Sequence, residues 1–108
     1  MELVNLNEHQ AFQKSKVIKK IPIISNQLMS TILFIGPKTI TPVHKHTGYD
    51  EIHYIIRGTG KIIIESESNS ITEGMMILVP KSKPHNFSTS ENQLTVLSVN
   101  LVPDQKMK

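Results

Sequence analysis

Residues 42–60 read PVHKHTGYDEIHYIIRGTG, and their spacing sets the frame for the whole chain. His44 and His46 are two positions apart, and a β-strand sends such neighbours to one face, so both imidazoles point the same way. Thr47, Gly48, Tyr49 and Asp50 make a short polar loop with glycine at the bend. Glu51 then opens a second strand and repeats the two-residue spacing with His53. Two adjacent strands are thus expected to aim His44, His46, Glu51 and His53 at a shared region. Further on, residues 74–85, GMMILVPKSKPH, run from an apolar strand into a proline-stiffened loop that delivers His85. Three neutral imidazoles and one carboxylate form a mixed nitrogen and oxygen site of charge −1. Such a site suits Fe, Mn, Ni, Co or Zn as the divalent ion better than Ca or Mg, which prefer all-oxygen cages.

Working outward, turn residues recur at short intervals: Pro22, Gly36 with Pro37, Gly48, Gly58, Gly74, Pro80 and Pro103. Between them lie short Ile-, Val-, Leu- and Thr-rich segments at 28–35, 51–56, 61–65, 75–79 and 94–101. No long stripe of period 3.6 is present. Strands of this length and spacing predict an all-β sandwich or small barrel with little or no helix. Residues 61–72 read as a hairpin around the polar turn Glu67-Ser68-Asn69. Residues 75–79 are apolar on both faces and read as an interior strand, with Met75 and Met76 as core filler. Without internal repeat or linker, residues 1–108 are expected to form one domain.

Composition narrows the function. The chain has no cysteine, which excludes disulfide frameworks, zinc ribbons and thiol nucleophiles and leaves metal binding to His, Asp or Glu. Lys and Arg number 12 against 9 Asp and Glu, but Arg57 is the only arginine and aromatics are 5% of the chain. Nucleic-acid readers usually need more of both, so no nucleic-acid partner is expected, and the lysines at 14–20, 81–83 and 106–108 read as solvated surface. No apolar run is long enough to span a bilayer and the first twelve residues do not resemble a signal peptide. The expectation is a cytoplasmic protein with no membrane partner.

The pattern His44-x-His46-x(4)-Glu51-x(6)-Gly58, followed by Gly74-x(5)-Pro80-x(4)-His85, resembles the two motifs of the cupin superfamily, small single-domain barrels of the double-stranded β-helix, jelly-roll-like kind. The motifs span 44–58 and 74–85. The resemblance implies one divalent metal inside the barrel on His44, His46, Glu51 and His85. Lys38 and Ser82 stand where the family usually has glycine, and Thr89 where it usually has asparagine; all three are turn or support positions. The resemblance also implies a homodimer, which the exposed edges of so small a barrel favour on physical grounds.

Other residues compete for roles. Asp50 is a rival to Glu51 but points to the opposite face if the strand has begun, and the spacing to Gly58 favours Glu51. His53 faces inward beside Glu51, as a ligand-supporting group, a proton shuttle or a packed polar residue, so Glu51 and His53 are the candidate catalytic pair. Tyr49 could cap the pocket mouth or lie on the surface. Lys81 and Lys83 flank the path to His85, where they could attract an anionic small molecule or remain solvated loop residues. His9 is given no role. The function expected is a small metalloenzyme of the dioxygenase or isomerase/lyase kind, with a non-catalytic ligand-binding module as the alternative.

Overall fold

The computed structural model describes residues 1–102, so Pro103 and the lysines at 106 and 108 lie outside the described residues. Seven strands follow one 3-10 turn at Leu6–His9: β1 (Val17–Lys20), β2 (Leu28–Ile35), β3 (Glu51–Ile64), β4 (Glu67–Thr72), β5 (Met76–Val79), β6 (His85–Ser88) and β7 (Leu94–Leu101). All strand pairs are antiparallel. No helix among the described residues is long and apolar enough to cross a membrane. The fold is the all-β barrel expected.

Strand β3 organises the barrel. Its first half pairs with β7 and β5, extending the sheet β1-β2-β7-β3-β5, while its second half pairs with β4 and β6. The segments 51–56 and 61–65, expected as separate strands, are thus one strand that changes sheets. The corner is marked by a register shift between Ile55 and Arg57 and by Gly58 at φ +94. A side chain at Gly58 would be strained by that φ and would collide with the Gln93 carbonyl. Because of the corner, both ends of β3 reach the same end of the barrel: Glu51 pairs with Val79, and Ile64 pairs with His85.

The core cluster includes Ile35, Ile55, Ile62, Phe87, Leu94 and Val96, each at most 2% exposed. On the outside of the large sheet, Phe12 packs edge-on against Phe34 at 5.4 Å, so the N-terminal segment covers one end of that face. Fully burying aliphatic or aromatic side chains of this kind contributes about 1.5–3 kcal/mol each.

Three expectations are corrected. Residues 75–79 are not an interior strand: among the described residues β5 pairs with β3 alone, and Met75 and Met76 are 44% and 68% exposed rather than core filler. The apolar run misled because its outward residues face away from the core while only Val79 and Ile77 pack inward. The hairpin turns two residues earlier than expected, at Glu65 and Ser66, since Ile64 pairs directly with Glu67 and Glu65 adopts φ 56. Finally, His44 and His46 do not sit on a strand adjacent to Glu51. His44 bridges to His85 instead, and residues 47–50 carry the chain across to the other sheet.

Candidate metal centre

At the end of the barrel where β3 begins, His85 is the point of convergence. It opens β6 directly after Pro84 and is 1% exposed. Reciprocal backbone hydrogen bonds, His44 N–H to His85 O at 3.1 Å and His85 N–H to His44 O at 2.9 Å, place the two side by side. Their rings lie 4.4 Å apart, and the His46 ring lies 5.3 Å from that of His44. Glu51 and His53, 6% and 3% exposed, enter from the opposite sheet. Phe87 lies under this group, its ring 5.5 Å from that of His53.

The carboxylate of Glu51 joins the set. One oxygen, Oε2, is 3.2 Å from His46 Nε2, and the other, Oε1, is 3.0 Å from His53 Nε2 and 3.8 Å from His85 Nε2. Two overlapping groups of potential ligand atoms result, His44 with His46 and His85, and Glu51 with His53 and His85, each within 4.8 Å of one another. The carboxylate therefore ties the two groups into one cluster.

His85 shows how a cation would fit. Its Nδ1 lies 3.1 Å from the Lys83 carbonyl, an acceptor, so Nδ1 carries the hydrogen and Nε2 presents a lone pair. That Nε2 is buried and has no hydrogen-bond partner. Leaving a buried acceptor unsatisfied costs about 1–3 kcal/mol, and here the Glu51 carboxylate 3.8 Å away is another acceptor. A bound cation satisfies both at once. Three imidazoles and a carboxylate match the donor chemistry of a divalent transition metal.

Electrostatics keep the donors available. Burial lowers the pKa of His85, aided by the charges of His44 and His53 and opposed by the Lys83 hydrogen bond and Glu51. Burial likewise lowers His46, with Glu51 opposing. For Glu51, burial acts to raise the pKa, but the His53 hydrogen bond and the neighbouring imidazoles outweigh it and the net shift is downward. The His46 and His85 imidazoles therefore remain neutral, and the Glu51 carboxylate ionised, to lower pH than ordinary side chains.

Each candidate from the sequence now has a place. Asp50 stays outside the cluster: its Oδ1 accepts the Lys81 backbone N–H at 2.8 Å and braces the loop that leads to His85. Tyr49 stacks on His46 at 5.1 Å with its hydroxyl 3.1 Å from Nδ1. Because a hydroxyl both donates and accepts, it fits either tautomer of His46. Lys83 forms an exposed pair with Glu65 at 3.5 Å. His9 ends the N-terminal 3-10 turn. The family's glycine positions behave as turns should: Lys38 and Ser82 adopt φ 56 and 67, the left-handed region where a side chain costs about 1–2 kcal/mol. At Thr89 the hydroxyl accepts from Thr39 N–H at 3.1 Å and donates to the Gly36 carbonyl at 2.6 Å, so the support role is kept without asparagine.

Sequence reading missed the far wall. Ser98 and Asn100, both 4% exposed, share the inward face of β7, and Asn100 Oδ1 and His53 Nδ1 are buried without partners. The signal was present: in LTVLSVNL one parity changes from Leu94 and Val96 to Ser98 and Asn100. A concavity of about 520 Å³ around Thr59, Ser70 and Asn92 contains none of these donors.

Comparison with known proteins agrees with this fold. Residues 32–100 match a family described as a cupin domain. An uncharacterized protein of Methanocaldococcus jannaschii is 30% identical over 69 residues, which is 64% of this chain and 54% of that protein. The matched segment thus spans about half the length of the curated relative. Among solved structures, TT1209 from Thermus thermophilus superposes with a TM-score of 0.82 at 21% identity, covering 95% of this chain and 100% of that one. The polyketide cyclase RemF from Streptomyces resistomycificus gives 0.80 at 18% identity, over 94% of this chain and 79% of the cyclase.

Proposed function

The chain belongs to the cupin family, and from that premise we propose that it acts on a small polar molecule through one divalent transition metal held by His44, His46, Glu51 and His85. The observation that carries this reading is the buried, unpartnered Nε2 of His85, facing a carboxylate at a distance too long for a hydrogen bond. A metal in this position would supply Lewis-acid polarisation of a carbonyl or redox chemistry of the dioxygenase kind. The occurrence of a polyketide cyclase on the same fold is compatible with an enzyme.

The chain's own residues would divide the remaining work. His53 holds Oε1 of Glu51 and leaves Oε2 turned toward His46, and the 3.0 Å contact is a path along which a proton can pass. Tyr49 fixes the ring plane of His46 by stacking and by its hydroxyl. Phe87 closes the floor against water. Elemental analysis after reconstitution with Mn, Fe, Co, Ni and Zn in turn tests the reading. Near-stoichiometric retention of at least one is expected. Retention of none leaves a metal-free binding module.

The outward face of the large sheet supports a second part of the proposal, that the partner is another copy of this chain. Ile52, Tyr54, Met76, Leu78, Val99 and Leu101 are all 39–68% exposed, and their strands β5, β3 and β7 are neighbours. With strands about 4.8 Å apart they form a patch of roughly several hundred Å², the size class that marks interaction surfaces. An uncharged face of this kind is complementary to itself, as a two-fold interface requires. Light scattering across a tenfold concentration range is expected to give the mass of two chains; a constant single-chain mass overturns the dimer.

A further inference from the structure

His53 is the imidazole that the proposed ligand set leaves out, yet it is among the most enclosed groups of the cluster. Glu51, His53 and His85 are all buried, and their donor atoms lie within 4.8 Å of one another without any contribution from His44 or His46. The imidazoles that complete the other group stand at the mouth: His44 is exposed and His46 only partly buried. The donors are therefore layered, two at the opening and three inside, with His85 common to both groups.

The Glu51 carboxylate divides in the same way. Its Oε2 is 3.2 Å from His46 Nε2, while Oε1 is 3.0 Å from His53 Nε2 and 3.8 Å from His85 Nε2. Donors bound at about 2.0–2.2 Å to one ion stand roughly 3.0–3.4 Å apart in right-angled or tetrahedral geometry. The His53 pair already has that separation, and the His85 pair needs to close by about 0.4 Å. Two further atoms fit. With its hydrogen on Nε2, His53 keeps a lone pair on Nδ1 that is buried and has no partner. Moved to Nδ1, the hydrogen frees Nε2 to ligate and makes Nδ1 a donor. A ligating histidine ordinarily gives its other N–H to an oxygen acceptor, and the inward wall of β7 holds one. Asn100 Oδ1 is buried without a partner, and the amide nitrogen already donates to the Leu101 carbonyl at 2.7 Å. The register sets Ser98 opposite His53, and Asn100 lies two residues along on the same face.

From this layering we infer that the barrel has a second, inner cation position made by Glu51, His53 and His85, in which His53 is a direct ligand. Two imidazoles and one carboxylate suit Fe(II), Co(II) or Zn(II) and leave coordination places open. The inference rests on the proposed function for the presence of an ion, and adds that the ion has two alternative places. His85 Nε2 has one lone pair, so the two places are filled one at a time. A molecule arriving at the mouth then takes the places of His44 and His46 without stripping the metal, because the three buried donors retain it.

Zinc content after reconstitution of chelator-treated protein tests this in three forms of the chain. Wild type is expected to retain near-stoichiometric zinc. His44→Ala with His46→Ala, which removes both mouth imidazoles, should retain it as well, and adding His53→Gln should abolish retention. Gln keeps a donor for the Glu51 carboxylate but is a poor ligand for zinc, so its loss of metal reports ligation rather than orientation. A double variant that keeps a cooperative thermal transition but retains no zinc overturns the inner position and leaves the proposed function standing. A triple variant that binds as tightly as the double overturns His53 as a ligand. No zinc in wild type overturns the proposed function itself. If the double variant does not fold, His46→Ala alone decides. Anomalous scattering at the zinc edge is expected to place its ion within about 2.2 Å of His53 Nε2. An ion bound by His44 and away from His53 overturns the inner position.

Discussion

The two faces of the large sheet are built from the same strands and carry opposite chemistry. Along the start of β3, Glu51 and His53 are buried while Ile52 and Tyr54 are exposed; along the end of β7, Ser98 and Asn100 are buried while Val99 and Leu101 are exposed. A soluble sheet normally alternates the other way, apolar inward and polar outward. The usual order returns toward the barrel's closed end, where Ile55, Leu94 and Val96 fill the interior. On the proposed function, this reversal at one end gathers polar groups inside for chemistry and leaves apolar groups outside for a second copy of the chain. It is the local violations of patterning that mark function, while the rest of the sheet supplies stability.

The largest expected effect comes from emptying the inward face of its donors. With metal at about a hundredfold excess over Kd, binding contributes about 2.7 kcal/mol, a rise in Tm of roughly 10 °C or more for a domain of this size. His85→Ala or Glu51→Gln should abolish that rise in differential scanning calorimetry, whereas Asp50→Asn, outside the cluster, should leave it in place. If Asp50→Asn behaves like Glu51→Gln, the division between inside and outside fails.

On the opposite face, Ile52→Lys with Leu101→Lys should convert the proposed dimer to a single chain in light scattering, since desolvating two charges against an apolar surface is costly. Metal content should be unchanged. Loss of metal in this variant would mean that the two faces are coupled rather than separate.

A smaller effect is expected one step behind the donors. His53→Ala should lower metal affinity about 10- to 100-fold, measured by competition with a chelator, because Glu51 loses the partner that orients Oε1. His53→Gln, which can still donate to the carboxylate, should recover part of the loss.

The smallest effect concerns acid. The folded-state pKa values of His46 and His85 lie below the ordinary value near 6.5, so as pH falls below that value the unfolded chain takes up protons that the folded chain does not. Stability present above about pH 6.5 is then lost progressively toward the lowered values, and Glu51 adds a further loss below the ordinary carboxylate range. The slope of metal-free stability from pH 7 to 5 should be shallower in His85→Leu, in urea titrations. An unchanged slope would show that His85 does not contribute to it.

What the sequence determined by itself is local. Period-2 spacing placed His44 with His46 and Glu51 with His53, the strands at 28–35 and 94–101 coincide with β2 and β7, and the spacing from Gly58 singled out Glu51 over Asp50. The strand readings follow from the geometry of one strand, which depends on neighbouring residues alone, while the preference for Glu51 follows from the motif spacing that the chain shares with its family. The tertiary structure decided whatever depends on which strands meet. It showed that β3 turns at Gly58 and returns to the same end of the barrel, so that Ile64 brings His85 to Glu51. It showed that His44 pairs with His85, that β5 is an edge with Met76 exposed, and that Ser98 and Asn100 face the barrel side of the sheet. Alternation along a strand says that two faces differ but not which of them is covered, because burial is set by the packing of residues far apart in the chain.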